Sequence, residues 1–204
     1  MIFNKILQIK TTSIVIGAVL AMAVGAVLLS GFGAVIAHTN TLSFCTGCHE
    51  MADNNYAEYK DTIHGRNRTG VKAICSDCHV PHDVVGLLVH KAGALRDLAL
   101  HFQGTIDTRD KFVAHRLEMA KKVWIRMKET DSVECRNCHD RSAMVADMQG
   151  RTAQKQHLKL DDGSGTTCID CHYGIAHKAP PGGLEPQDVV DQAKAESSGE
   201  KQGS

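Results

Sequence analysis

Cys45-Thr46-Gly47-Cys48-His49-Glu50-Met51 comes a few residues after a long apolar run and opens with the first of four Cys-x-x-Cys-His pentapeptides in the chain. The others are CSDCH (Cys75 to His79), CRNCH (Cys135 to His139) and CIDCH (Cys168 to His172). These motifs use all eight cysteines, which leaves no thiol for a structural disulfide or a lone nucleophile. Two thiols at this spacing can add to the two vinyl groups of a haem while the adjacent histidine turns under the iron as axial ligand. Zinc binding would not explain a histidine directly after every second cysteine. A thioredoxin-like dithiol belongs in a βαβ setting that this sequence lacks. The reading is therefore four covalently bound c-type haems, on Cys45 and Cys48, Cys75 and Cys78, Cys135 and Cys138, and Cys168 and Cys171.

Composition agrees with a core built from cofactor. Aromatic residues are only 4 % of the 204, and about 165 residues outside the apolar run would wrap four macrocycles, so no stable fold is expected without haem. Lys plus Arg and Asp plus Glu balance at 23 each. The propionates, about two per haem, then make the loaded protein acidic, and nucleic-acid binding is not expected.

Residues 1–13 form a short lead, with Lys5 and Lys10 as its basic residues. Residues 14–37 carry no charge and as a helix would reach about 36 Å, enough to cross a bilayer. Basic residues lie only on the N-terminal side of this run until Lys60, which predicts a single-pass inner-membrane anchor with a cytoplasmic N-terminus and the cysteines in the periplasm. A cleaved signal peptide ending near Val35-x-Ala37 would leave the cysteines in the same compartment, but its apolar region would be shorter.

The remainder repeats. The first two motifs begin at Cys45 and Cys75 and the last two at Cys135 and Cys168, so the two pairs have nearly equal internal spacing and a wider gap between them. His64 precedes Cys75 by the same interval that separates His157 from Cys168; His82 and His177 follow the second and fourth motifs. This predicts a mainly α, loop-rich multihaem domain over 38–178, built from two duplicated dihaem modules at about 45–83 and 135–178. The axial ligands from the motifs are His49, His79, His139 and His172, with His64, His157 and His177 as candidate distal ligands. His82 is too close to His79 for the same role to follow. His38, His90, His101 and His115 read as ordinary histidines. One haem is then short of a histidine, and Met51, two residues after His49, offers a thioether at the first motif.

Between the modules, Val84 to Gln103 and the stretch from Thr108 to about Lys128 have helical spacing. Residues 179–204 read as a disordered tail.

The anchor, CTGCHEM, EYKDTIHGRNRTGVKAICSDCHVPH, WIRMKETDSVECRNCH and TCIDCHYGIAH together resemble the NapC/NirT family of membrane-anchored tetrahaem cytochromes, which carry electrons from quinol to periplasmic reductases. The resemblance implies Met51 in place of His49 on the first haem, and His64 paired with His139. It also implies His177 with His79 and His157 with His172. It further implies a quinol site at Lys91 and Asp97, where Asp97 would accept a proton. Menaquinol and ubiquinol remain equally open, as does a homo-oligomer. Nitrate reductase is the first candidate partner. The rival readings are a terminal reductase of nitrite or another oxyanion, and a passive electron-storage cytochrome.

Overall fold

The computed structural model describes residues 2–161, 163, 165–182, 185–189 and 191, with side chains from residue 12 onward apart from Asp161. All regular structure among the described residues is helical.

Helix α1 (Ile2–Thr39) runs past both ends of the expected 14–37 span. Its stretch Thr12–Thr39 has a mean hydropathy of 2.5 and none of it is buried by the rest of the chain, so its apolar surface has no protein partner. At about 1.5 Å per residue, this stretch is long and apolar enough to cross a membrane. Threonines close it: Thr39 Oγ1 donates to the Ile36 carbonyl at 3.1 Å and Thr41 Oγ1 to that of His38 at 2.8 Å. Thr41 then caps α2 (Leu42–Cys45) by accepting the Phe44 N–H at 3.2 Å, so the chain turns directly from α1 into the first motif.

Short helices carry the motifs. A widened π-helical stretch (Met51–Tyr56) follows the first motif and continues into α3 (Ala57–Tyr59). Buried Asn54 donates its amide to the Glu50 carbonyl at 2.9 Å, supplying a partner within the altered turn. The second and fourth motifs are themselves helices, α4 (Cys75–His79) and α9 (Cys168–His172). Each begins in the same way: Asp77 accepts the Ile74 N–H at 2.7 Å, and Asp170 accepts the Thr167 N–H at 2.6 Å. In the third motif, α7 (Val133–Arg136) ends just past Cys135.

Two longer helices lie between, as their spacing predicts. Asp83 caps α5 (Val84–Phe102), accepting the Gly86 N–H at 2.6 Å, and Thr108 caps α6 (Arg109–Glu129). In the bend between them Gly104 takes φ +70°, a conformation that is costly for other residues. Lys111 closes the bend with its Nζ 2.7 Å from the Gly104 carbonyl and 2.8 Å from Asp107. After residues 141–143 and 146–148, two single turns of 3₁₀ helix, α8 (Arg151–His157) carries the last candidate distal histidine.

The side-chain core is small and sits at the end of α6. Trp124, Met127, Ile169 and Val189 are buried together, with Cys78 and Tyr173 against them. Trp124 and Tyr173 meet edge to face at 5.8 Å. Arg126 donates to the Cys78 carbonyl at 3.3 Å and pairs with buried Glu134, while Lys128 pairs with Asp170. One helix end therefore touches the second and fourth motifs and the residue just before the third. Val189 brings part of the polar C-terminal stretch onto this core, and Pro186 is buried as well; of the tail expected over 179–204, residues 183, 184, 190 and 192–204 lie outside the described residues.

Candidate haem-binding site

Histidines far apart in sequence meet in pairs. Ring centres lie 6.0 Å apart for His64 and His139, 6.2 Å for His79 and His177, and 6.2 Å for His157 and His172. Metal–imidazole bonds run about 2 Å, so two imidazoles on opposite sides of one iron have centres roughly 6.3 Å apart. That is the spacing of all three pairs, and each joins one motif histidine to one of the histidines expected to be distal. The protonation state suits the role. Burial, then the neighbouring His177, Arg126 and His90, push His79 down to about 4, which leaves the neutral imidazole that binds metal. Burial likewise lowers His64 and His177. The Nδ1 atoms of both are buried without a protein partner.

Local structure holds each of these candidate distal histidines in place. Below His64, the Tyr59 hydroxyl lies against the His64 carbonyl at 2.8 Å and also against that of Ala73, with one proton to share between them. Burial and then nearby acidic groups raise this phenol to about 12, so it keeps that proton. Gly65 is pressed on the same turn: a Cβ there would stand 2.5 Å from the Tyr59 carbonyl. His177 is fixed through its neighbour Lys178, whose N–H donates to Glu58 at 3.0 Å and whose carbonyl accepts from Arg116 at 3.1 Å. His157 Nδ1 bonds Gln149 Oε1 at 2.7 Å.

The cysteines are arranged in parallel. The Cys45 and Cys75 thiols hydrogen-bond, and so do those of Cys135 and Cys168. The bond from Cys75 lowers Cys45 to about 6, against burial, with help from Lys91; the bond from Cys135 lowers Cys168 to about 6 in the same way. Cys75 and Cys135, as the donors, are raised. Beside the third motif a cleft of about 560 Å³ is lined by Arg136, His139, Asp140, Arg141 and Ser142, and its two guanidinium groups suit the carboxylates of a propionate-bearing ligand. The paired rings, the thiol sets and this cleft all fit c-type haem.

The first motif differs. Met51 shares a cleft with Cys45, Cys75, His79 and His177, and its sulfur accepts from Asn55 at 3.5 Å. The His49 ring lies instead 3.3 Å from the Glu50 carboxylate and 5.8 Å, centre to centre, from His101. Glu50 is 5 % exposed and bonds His101 as well. Its burial disfavours the charge, but its own backbone N–H and the two histidines outweigh this and hold the carboxyl below its usual range. No local sequence pattern marks His101, because its contacts lie far off along the chain. Lys91 Nζ donates to the Thr39 carbonyl at 3.0 Å, at the end of α1. Asp97 stands exposed further along α5. His82 meets Asn137 at 3.2 Å across the second and third motifs.

Comparison with known proteins agrees with this geometry. The model of the NapC/NirT cytochrome c family, N-terminal region, matches residues 8–182. The chain is 52 % identical over 147 residues to the denitrification system component NirT of Stutzerimonas stutzeri, covering 72 % of this chain and 73 % of that one. It is 47 % identical over 163 residues to the cytochrome c-type protein NapC of Paracoccus pantotrophus, covering 77 % and 69 %. Over 141 residues it is 50 % identical to NapC of Escherichia coli K12, covering 69 % and 70 %. No solved structure matches it. With its apolar anchor helix, its haem-attachment motifs and its paired histidines, the chain belongs to the NapC/NirT family of c-type cytochromes.

Proposed function

We propose that this cytochrome takes electrons from membrane quinol and passes them, through four covalently bound c-type haems, to a reductase in the periplasm. The observation that carries the reading is the bond from Lys91 to the Thr39 carbonyl. It ties α5 to the end of the apolar helix beside Cys45, so the first attachment motif stands where a lipid-soluble donor would arrive. Lys5 and Lys10 ahead of the span favour a cytoplasmic N-terminus. The anchor would then lie in the inner membrane. A nitrogen-oxide reductase suits relatives called NapC and denitrification component NirT, and nitrate reductase is the first candidate.

Haem, when bound, supplies one-electron carriage. The chain's own residues supply position and proton chemistry. His79 and His177, His139 and His64, and His172 and His157 are the proposed axial pairs. The thiol contact of Cys45 with Cys75, repeated by Cys135 with Cys168, supports two duplicated dihaem modules. Quinol oxidation releases two electrons, which would leave one at a time through the haems, and two protons, which Asp97 is proposed to accept in turn and pass to solvent. The ammonium of Lys91 has three protons, of which Thr39 takes one, so a quinol oxygen can accept another. For the first motif, the cleft that Met51 shares with Cys45 supports a thioether ligand. The 5.8 Å approach of His49 to His101 favours a second reading, in which two histidines serve there.

The test is reduction of the detergent-solubilised holoprotein by menaquinol and ubiquinol analogues. Asp97→Asn is expected to slow it about a hundredfold with haem content unchanged. Haems that dithionite reduces but neither quinol does would overturn the reading in favour of electron storage or an oxyanion reductase.

A further inference from the structure

The two long sides of α5 are reversed relative to a helix of a water-soluble domain. At about 100° per residue, Val84, Val85, Leu88, Val89, Leu95 and Phe102 fall on one broad face, with Ala92 and Ala99 among them. The six large side chains are exposed, from 43 % at Leu88 to 78 % at Phe102. The opposite face holds His90 and His101, both half-buried, and exposed Asp97, while half-buried Lys91 stands at the margin of the apolar face, four residues before Leu95. That polar face is turned to the protein through His101, which reaches Glu50 and His49, and at the margin of the apolar face Lys91 reaches Thr39. His49 of the first motif lies on that polar side, against His101.

A face of this size, continuous along 19 residues, is too costly to leave in water. We infer that α5 lies in the membrane interface, with its apolar face among the acyl chains of the bilayer that holds α1. The occupant follows from continuity, since Lys91 joins α5 to the last residue of α1, and the face thereby starts where the spanning helix ends. Arg96, at the edge of the apolar face, can reach the headgroups along its stem. A quinol would then enter sideways from lipid, along α5, to Lys91 and Asp97. The inference rests on α1 being embedded, and the experiment reads that separately.

Full-length holoprotein in nanodiscs made with an acyl-diazirine phosphatidylcholine is irradiated, and lipid adducts are mapped by mass spectrometry. Adducts on residues 84–102 are expected within about threefold of those on α1 and at least about tenfold above those on α6. Val89→Glu with Leu95→Glu is expected to cut labelling of 84–102 at least about threefold while α1 labelling and haem content stay unchanged. Labelled α1 with unlabelled α5 would overturn the inference alone, whereas unlabelled α1 would overturn the anchor and the inference together. A benzoylphenylalanine at Leu95 that captures a second copy of the chain in place of lipid would also overturn it.

Discussion

Glu58 and Arg116 form a two-armed fork, with 2.8 Å at each arm, and between them they grip both sides of the Lys178 peptide, one residue from His177. Both side chains are close to 12 % exposed, so the pair is desolvated and its loss leaves a charge without a partner. Removing one partner of such a pair costs about 3 kcal/mol. Arg116→Ala is expected to loosen His177 and convert part of one haem to the high-spin form, while Arg116→Lys retains most of the low-spin signal. Low-temperature electron paramagnetic resonance checks this, and an unchanged spectrum in Arg116→Ala would count against the fork as a positioning device.

The same fork sets an acid limit. Burial disfavours the Glu58 carboxylate, but Arg116 and the Lys178 N–H outweigh it, so its folded pKa lies below the ordinary range. A depressed carboxyl stabilises the fold above its unfolded pKa, about 4.3, and that stabilisation is lost as the pH falls through the folded value. High-spin haem is expected to grow in below about pH 4 in the wild type. Glu58→Gln is expected to show it already at neutral pH, with no further step in that acid window. A titration of the visible spectrum reads both.

Tyr59→Phe removes the hydroxyl that bridges the carbonyls of His64 and Ala73. The expected cost is about 1.5 kcal/mol, which local opening would report as roughly tenfold faster exchange of the Ala73 N–H. That N–H bonds the His64 carbonyl at 3.2 Å and is a direct reporter of the turn. Exchange spread evenly over the whole chain would show a global loss instead.

Two substitutions separate the readings of the first motif. With Met51 on iron, Met51→Leu is expected to lower the potential of one haem and change its spectrum, and His101→Ala to leave both alone. With His49 and His101 as the pair, the outcomes are exchanged. Redox titration of each variant with full haem content decides between them.

The link from α6 to α7 places two consecutive non-glycine residues in the left-handed region, Asp131 at φ 52° and Ser132 at φ 49°. Asp131→Gly relieves that strain, at the loss of an exposed pair with Arg136, and is expected to raise stability by about 0.5 kcal/mol. Ser132 is fully buried, and its hydroxyl accepts the Ile169 N–H at 3.2 Å. Ser132→Ala is therefore expected to cost about 1 to 2 kcal/mol. Thermal melts of the holoprotein compare the two.

That His64 and His157 would each stand near a motif histidine was legible in the sequence, because each lies at the same distance before a motif. Val84 to Gln103 and the stretch from Thr108 were legible as helices because apolar period and capping residues are local signals. The direction in which α5 faces was not. Periodicity identifies two faces of a helix, but which one turns inward depends on Thr39 and Glu50, which belong to a distant part of the chain. His101 escaped for the same reason. Val189 escaped because it is one apolar residue in a polar stretch, and composition averages it out.

His64 and His79 belong to the first half of the chain, and their partners His139 and His177 to the second; Glu58 likewise reaches across to Arg116 and Lys178. A protease that cuts the bend between Gln103 and Thr108 would leave two fragments, each holding what completes the other. With the proposed pairs His64 with His139 and His79 with His177 each holding one iron, the fragments would stay one particle, clasped like two hooks. On that proposal, mechanical cohesion in this cytochrome belongs to its coordination bonds more than to its covalent backbone.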